Sequence, residues 1–268
     1  MYKLIALDLD GTLLRSDKTI SPRTQQALSQ ARAQGVKVVL ASGRPPQGMY
    51  PFLQQLEIEG DNEFLVSFNG SWVTELVSHS LVHRSIVDGQ TAKMVAKLAQ
   101  ETGLDCHAFS ETLGLITPKL SRYTDVECRL NGLTATEMDF AQLDDDHPVI
   151  KAMIVGEPSL LTPIRTQLPA HIHQQYAVVQ SAPFFLEFLN PASSKGAAIE
   201  SICQRLGIAA EHTICIGDAQ NDHAMIEFAG LGVAMANGME ETRQLADMVT
   251  DSNDDDGVAK IIEQFLLR

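Results

Sequence analysis

Two aspartates, Asp8 and Asp10, stand two residues apart where a short apolar run, Leu4 to Leu7, stops. On a strand such a pair shares one side, about 6.6 Å apart along an ideal strand. Gly11 lets the chain turn sharply behind them. Like charges so placed repel unless a cation sits between them, and two acids ending an apolar strand are costly without a partner. The plain alternative is a polar strand-to-turn cap. A second acidic stretch, Gly217-Asp218-Ala219-Gln220-Asn221-Asp222, follows another apolar run, Thr213 to Ile216. Hard carboxylate and carbonyl oxygens from separate strand ends suit octahedral Mg2+, which is commonly bound beside a phosphate. Alone, this stretch reads equally well as a solvated turn with Asp222 capping a helix.

Donors stand at other expected strand ends. Ser42-Gly43-Arg44 closes the run Val36 to Leu40, and a hydroxyl with backbone N–H groups can hold phosphate oxygens. Lys195 sits at an expected helix start, where it opposes the helix dipole. That placement is unfavourable unless an anion or carboxylate lies nearby; a lone lysine there would be an ordinary surface residue.

These residues need a frame. Near-continuous apolar strands, Phe64 to Phe68 among them, predict a parallel sheet buried on both faces. Ser21-Pro22 predicts a helix start and Gly35 its end, and a second helix runs from near Lys195 through Ile199, Ile202 and Leu206 to Gly207. Strand, helix and strand in this order give a doubly wound α/β core over 1–82 and 188–268, with ligands expected beyond the carboxyl ends of its strands. The texture differs over 83–187. There the pattern predicts a helix from Gly89 to Thr102 stopped by Gly103, and strands near Cys106 and Leu115 and at Val149 to Val155. A helix from Ser159 to Leu168 follows, then strands Ala177 to Gln180 and Phe184 to Leu189. This is an α+β unit inserted into the core.

Composition removes several classes of function. The chain has 268 residues, 44% hydrophobic and 20% charged, inside the globular range. With 34 acidic against 20 basic residues the net charge is -14. No basic stretch could displace counterions from a polyanion, so nucleic acid and acidic membrane surfaces are excluded as partners. No apolar run approaches a membrane span, and no cleavable leader is recognisable at Met1-Tyr2-Lys3. Cys106, Cys128, Cys203 and Cys215 form no metal-ligand pattern and read as reduced thiols, which implies a cytoplasmic protein.

With these residues in hand, the sequence resembles the haloacid dehalogenase (HAD) superfamily and, within it, the Cof-type sugar-phosphate phosphatases. The matching motifs are Asp8-Leu9-Asp10-Gly11-Thr12, Ser42-Gly43-Arg44, Phe68-Asn69-Gly70, Lys195-Gly196, and Gly217-Asp218 followed by Asn221-Asp222; together they run essentially the whole chain. The resemblance implies that Asp8 attacks phosphorus to form an aspartyl-phosphate. Asp10 would protonate the leaving oxygen and then deprotonate the hydrolytic water. It implies Mg2+ held by Asp8, the carbonyl of Asp10 and Asp218, with Asp222 behind them. It further implies that Ser42 and Lys195 stabilise the phosphoryl charge, that Leu9, Gly43 and Asn221 line the phosphate, and that Arg44 and Asn69 face the substrate. The insertion becomes a cap of the αββ-repeat type that covers the site and selects the substrate. Ser42 replaces the more usual Thr, and Ala219-Gln220 replaces a glycine-containing loop.

The expected activity is Mg2+-dependent hydrolysis of small phosphorylated metabolites, sugar phosphates first among them, with oligomeric state left open. Two rivals use similar parts. A phosphosugar mutase would share the nucleophile, and a phospho-accepting signalling receiver would need less than half this length and lacks the second acid. Other features are set aside: His171-Ile172-His173 as an exposed edge strand rather than metal ligands, and Asp144-Asp145-Asp146 and Asp254-Asp255-Asp256 as solvated turns or helix starts; Trp72, Phe184 and Phe185 fit core or cap packing or a substrate platform, and the sequence does not choose between them.

Overall fold

The computed structural model describes residues 1–267. The chain lays down β1 (Leu4–Asp8), α1 (Pro22–Ala33), β2 (Lys37–Ala41), α2 (Tyr50–Gln55), β3 (Phe64–Ser67), β4 (Trp72–Glu75) and β5 (Leu81–Arg84). Next come α3 (Gly89–Thr102), β6 (Asp105–Ser110), β7 (Gly114–Thr117), α4 (Arg122–Asn131), β8 (Ala135–Glu137), β9 (Val149–Val155), α5 (Pro158–Gln167), α6 (Ala170–Gln175), β10 (Ala177–Ala182) and β11 (Phe185–Leu189). The last part holds α7 (Lys195–Leu206), β12 (Thr213–Gly217), α8 (His223–Phe228), β13 (Leu231–Ala234), α9 (Glu240–Leu245), β14 (Met248–Val249) and α10 (Gly257–Phe265). Two compact units result: Met1–Arg84 with the residues from Ser194 onward, and Ser85–Ser193.

The first unit is built on one sheet in the order β14-β13-β12-β1-β2-β3-β4-β5. Neighbours from β14 to β3 are parallel, and β4 and β5 add an antiparallel edge. Every residue of β1 and β12 is buried, because alternate side chains of each strand enter different cores. Ile5 and Leu7 pack with Ala27 and Leu28 of α1 and Ile261 and Ile262 of α10. Leu4 and Ala6 pack with Ala198, Ile199 and Ile202 of α7 and Met225 of α8. A sheet covered on both faces needs strands that are apolar throughout, the pattern read from the sequence. Truncating a residue such as Leu7 to Ala would cost about 2–5 kcal/mol. The parallel order brings the carboxyl ends of β1, β2, β3 and β12 to one edge, so Asp8, Ser42 and Asp218 emerge together with the turn after β3.

Helix boundaries follow local chemistry. Ser21 accepts the N–H of Thr24 at 3.1 Å and Pro22 occupies the first turn of α1, while Gly35 beyond its end has φ +86°. α7 starts at Ser194, whose hydroxyl accepts the Ala197 N–H, and ends at Gly207 with φ +64°. Both devices satisfy backbone groups that a helix end leaves without partners.

In the second unit the order is β10-β11-β9-β6-β7-β8, antiparallel except between β7 and β8. One sheet face packs on α3, α5 and α6 through Ala92, Val95, Leu161 and Ile172. The other carries buried polar residues, His107, Lys151 and Glu187, with Lys151 Nζ 2.8 Å from Glu187 Oε1. The units join at 84/85 and 193/194 rather than at 82/83 and 187/188. β5 is paired with β4 of the first sheet, and β11 continues to Leu189 between β9 and β10, so a boundary after 187 would divide a strand.

α4 and β8 lie where no element was expected. The segment His171-Ile172-His173 is part of helix α6, not an edge strand. Ile172 alone is buried and both imidazoles are exposed; positions two apart on a helix point to nearly opposite sides, so they cannot share a ligand. Phe184 stacks on Tyr123, ring centroids 5.9 Å apart, and Phe185 is buried. Among the described residues no helix is long and apolar enough to cross a membrane.

Candidate active site

β1 delivers Asp8, which is 5% exposed, and the chain then turns so that Leu13 N–H reaches Asp8 O and Leu14 N–H reaches Leu9 O. Gly11 has φ +91°, and a Cβ there would lie 2.6 Å from the Asp218 carboxylate. The turn therefore excludes any side chain at this position, which lets the ends of β1 and β12 approach. Thr12 completes the approach, its hydroxyl donating to Asp218 Oδ1 at 2.9 Å.

The β12 loop is organised around Asp222. Its Oδ2 accepts the backbone N–H groups of Asp218 and Ala219 at 2.9 and 3.0 Å, and its Oδ1 accepts from Lys195 Nζ at 2.6 Å. The same ammonium donates to Asp8 Oδ1 at 2.5 Å. Lys195 and Asp222 are both fully buried. A lysine opposing a helix dipole is thus explained by two carboxylates that face it. Burial alone would lower the Lys195 pKa, but Asp222 and Asp8 outweigh it and hold the amine above its ordinary value.

Lys195 is placed by an unusual turn. Phe68, Asn69 and Gly70 all have positive φ, +52°, +55° and +95°, and a Cβ on Gly70 would meet the Ser194 carbonyl at 2.1 Å. The backbone after β3 therefore lies directly against the residue preceding Lys195, and left-handed non-glycine residues in succession are a strained arrangement that only surrounding structure sustains. Asn69 is buried, takes its N–H to Ser42 O at 2.9 Å, and accepts from Asn221 Nδ2 at 3.0 Å. This links the ends of β2, β3 and β12.

Asp8, Asp218 and Asp222 each present a carboxylate oxygen within 4.8 Å of the others. Three acids against one ammonium leave an excess of negative charge in a buried place. Desolvation raises Asp8 well above its usual range, with Asp222 and Asp218 adding to the rise against Lys195. Asp218 is pushed up to about 6 by burial and by Asp222, against the Thr12 hydrogen bond. Carboxylates that resist ionisation for lack of a counter-charge fit a small hard divalent cation. Asp8 and Asp218 could hold it. Asp222 is engaged through both oxygens and shapes the loop.

Asp10 has different surroundings. Burial would raise its pKa, but the hydrogen-bonded Arg44 guanidinium, and then Lys18, hold it below the ordinary value. Arg44 donates through Nε to Oδ2 at 2.7 Å and through Nη2 to Oδ1 at 2.8 Å, and its guanidinium lies 5.6 Å from the Phe52 ring centre. Arg44 is thus paired with Asp10, and Asn69 is a buried brace between loops. The Leu9 side chain belongs to the hydrophobic core, leaving only its backbone to meet a ligand. Ser42 is buried and its hydroxyl accepts the Arg44 N–H at 3.2 Å. Thr12 and Lys18 were not singled out from the sequence. Thr12 lay inside a recognised motif, but Lys18 lies in a polar loop with no distinguishing composition.

This constellation has counterparts. A family profile of haloacid dehalogenase-like hydrolases matches residues 5–262. YxeH of Bacillus subtilis, which bears a phosphatase name, is 35% identical over 272 residues, covering 100% of this chain and 99% of its own. The B. subtilis 5-amino-6-(5-phospho-D-ribitylamino)uracil phosphatase YitU is 30% identical, covering 98% and 97%. A crystal structure of a haloacid dehalogenase-like hydrolase from Bacteroides thetaiotaomicron is 34% identical and matches with a TM-score of 0.87 over 98% of this chain and 99% of that one. A match over nearly the full length, in sequence and in fold, joins the strand-end carboxylates to a lineage: the chain belongs to the haloacid dehalogenase-like hydrolases and is a phosphatase of that family.

Proposed function

We propose that the protein hydrolyses phosphate monoesters of small metabolites, sugar phosphates in particular, by a Mg2+-dependent mechanism through an aspartyl-phosphate on Asp8. The observation that carries this reading is the cluster of buried Asp8, half-buried Asp218 and buried Asp222 beside a single ammonium, Lys195. Mg2+ bound by Asp8, Asp218 and the Asp10 carbonyl would supply charge neutralisation for the nucleophile and the phosphoryl oxygens. Asp8, held by Lys195, attacks phosphorus; the ammonium also opposes the charge growing on the phosphoryl group. Asp10 gives a proton to the leaving oxygen and takes one from the water that cleaves the phosphoenzyme. Ser42 and Asn221 stand at neighbouring loops as phosphate donors.

The inserted unit Ser85–Ser193 is the proposed source of substrate discrimination. The choice of a phosphorylated sugar or polyol is supported by YitU, whose name gives a ribityl phosphate as substrate. A phosphate-release screen of phosphorylated sugars, polyols and nucleotides with Mg2+ tests the reading. Free phosphate from a sugar or polyol ester is expected. An isomeric phosphate ester formed with no free phosphate would instead establish a mutase.

A further inference from the structure

Asp10 receives three hydrogen bonds from two cations, and they are unequally shared. Oδ1 accepts from Arg44 Nη2 and from Lys18 Nζ, each at 2.8 Å, whereas Oδ2 accepts only from Arg44 Nε at 2.7 Å. A carboxylate offers about two lone pairs on each oxygen. Among the described residues, Oδ1 is therefore filled and Oδ2 keeps one acceptor position open.

The loop that carries Lys18 is held in place. Lys18 itself has φ +66°, a conformation that costs a non-glycine residue and persists only when its surroundings enforce it. Those surroundings are visible. Lys18 N–H donates to Arg15 O, Arg15 N–H donates to Thr19 O, and Asp17 Oδ1 accepts from both the backbone and the hydroxyl of Thr19. Farther out, Ser16 donates to Asp254 through its N–H and its hydroxyl, Asn253 Nδ2 reaches Leu14 O, and Asn237 Nδ2 reaches Gly11 O. The backbone from which Lys18 reaches Asp10 is thus fastened at many points, which restricts where its 61% exposed side chain can place the ammonium; an exposed ion pair on a free loop would be worth little.

We infer that Lys18 is a positioning residue for Asp10: by filling Oδ1 it fixes the carboxylate rotamer and leaves Oδ2 as the oxygen that exchanges the proton. This rests on the proposed role of Asp10 as acid and base. In the first step the Oδ2 proton passes to the leaving oxygen as its bond to phosphorus breaks and the Asp8 oxygen bonds phosphorus. In the second, water transfers a proton to Oδ2 and its oxygen bonds phosphorus, releasing inorganic phosphate and free Asp8. Arg44 alone grips both oxygens and cannot distinguish them; Lys18 supplies the asymmetry.

A series of para-substituted phenyl phosphates, from nitrophenyl to methoxyphenyl, tests this with Mg2+ present. Acid assistance matters most for poor leaving groups, so Lys18→Met should lower kcat about tenfold with methoxyphenyl phosphate, a fraction of the 100- to 10,000-fold that proton transfer can supply. Its loss with nitrophenyl phosphate should be several times smaller, KM should stay within about twofold, and Lys18→Arg should restore the wild-type dependence. Lys18→Gln provides a second neutral variant, and circular dichroism with thermal melting checks that each variant is folded. Equal losses with all leaving groups, a change confined to KM, or no change in either neutral variant would overturn the inference. Wild-type protein inactive on the whole series, or Asp8→Asn as active as wild type, would instead overturn the functional reading on which it rests.

Discussion

Lys195 Nζ lies 2.6 Å from Asp222 Oδ1, and neither side chain is exposed to solvent. Buried charges are tolerable only when paired, and here the pair also fixes the β12 loop through the Asp222 hydrogen bonds to the N–H groups of Asp218 and Ala219. Replacing Lys195 with Met keeps most of the volume but strands two carboxylates. The expected cost is about 3–5 kcal/mol, read as a lower urea midpoint in EDTA, together with loss of turnover. A Lys195→Met protein as stable as wild type would show that the ammonium is not balancing these acids.

Gly11 offers a test of how closely the strand ends must approach. Gly11→Ala adds a Cβ where the Asp218 carboxylate already lies at 2.6 Å and imposes a left-handed conformation on alanine. About 1–3 kcal/mol of strain follows, and because Asp218 must move, Mg2+ activation should require at least roughly tenfold more metal, as a 1.4 kcal/mol penalty on binding would give. A magnesium titration of initial rates checks this, and an unchanged half-activating concentration would refute it.

Metal removal should stop the reaction altogether. With the Asp8 charge and the substrate phosphate uncompensated, dialysis against EDTA should abolish phosphate release and Mg2+ should restore it. Ca2+ should inhibit, since its longer bonds and larger coordination number displace the nucleophile. Full activity in excess EDTA would exclude the mechanism.

His107 predicts a pH dependence in the second unit. It is fully buried, and burial, assisted by Lys151, lowers its pKa to about 3 from an ordinary value near 6.5. Its contribution to stability is complete above the unfolded value, because both states are then neutral. It is lost as pH falls from about 6.5 toward 3, where only the unfolded chain takes up the proton. At pH 4.5 the loss amounts to roughly 2–3 kcal/mol. Urea midpoints at pH 7 and 4.5 should show a smaller difference in His107→Leu than in wild type; the same difference in both would remove His107 as the cause.

Much of this architecture can be read from residue types. The stops at Gly35, Gly103 and Gly207 mark helix ends because φ between +64° and +86° is needed there, and fully apolar strands announce a sheet covered on both sides. The carboxylates at strand ends were legible for the same reason, since charge at the end of a buried strand demands a partner. What stayed hidden depends on tertiary partners. Ile172 between two histidines fits a strand or a short helix equally well, and packing decides. Arg44 looks available until Asp10 is placed beside it, and Lys18 acquires meaning only from a loop whose fastening residues lie more than two hundred positions away. A strand from Phe184 to Leu189 is legible, but the unit that owns its end is set by pairing: Phe188 lies opposite Val178 of β10 and Ala152 of β9, and Leu189 opposite Ala177 of β10.

The central claim is that Asp8 carries the phosphoryl group, and the phosphoenzyme itself is the most direct measurement of it. Asp10→Asn removes the group that activates water, while nitrophenol departs with little acid assistance, so the intermediate should accumulate. Acid-quenched Asp10→Asn protein, mixed with nitrophenyl phosphate and Mg2+ and digested for mass spectrometry, should carry one phosphoryl group on the peptide containing Asp8. The additional change Asp8→Asn should remove it. A phosphoryl group that persists in the double variant, or that maps to any other residue, would contradict the account.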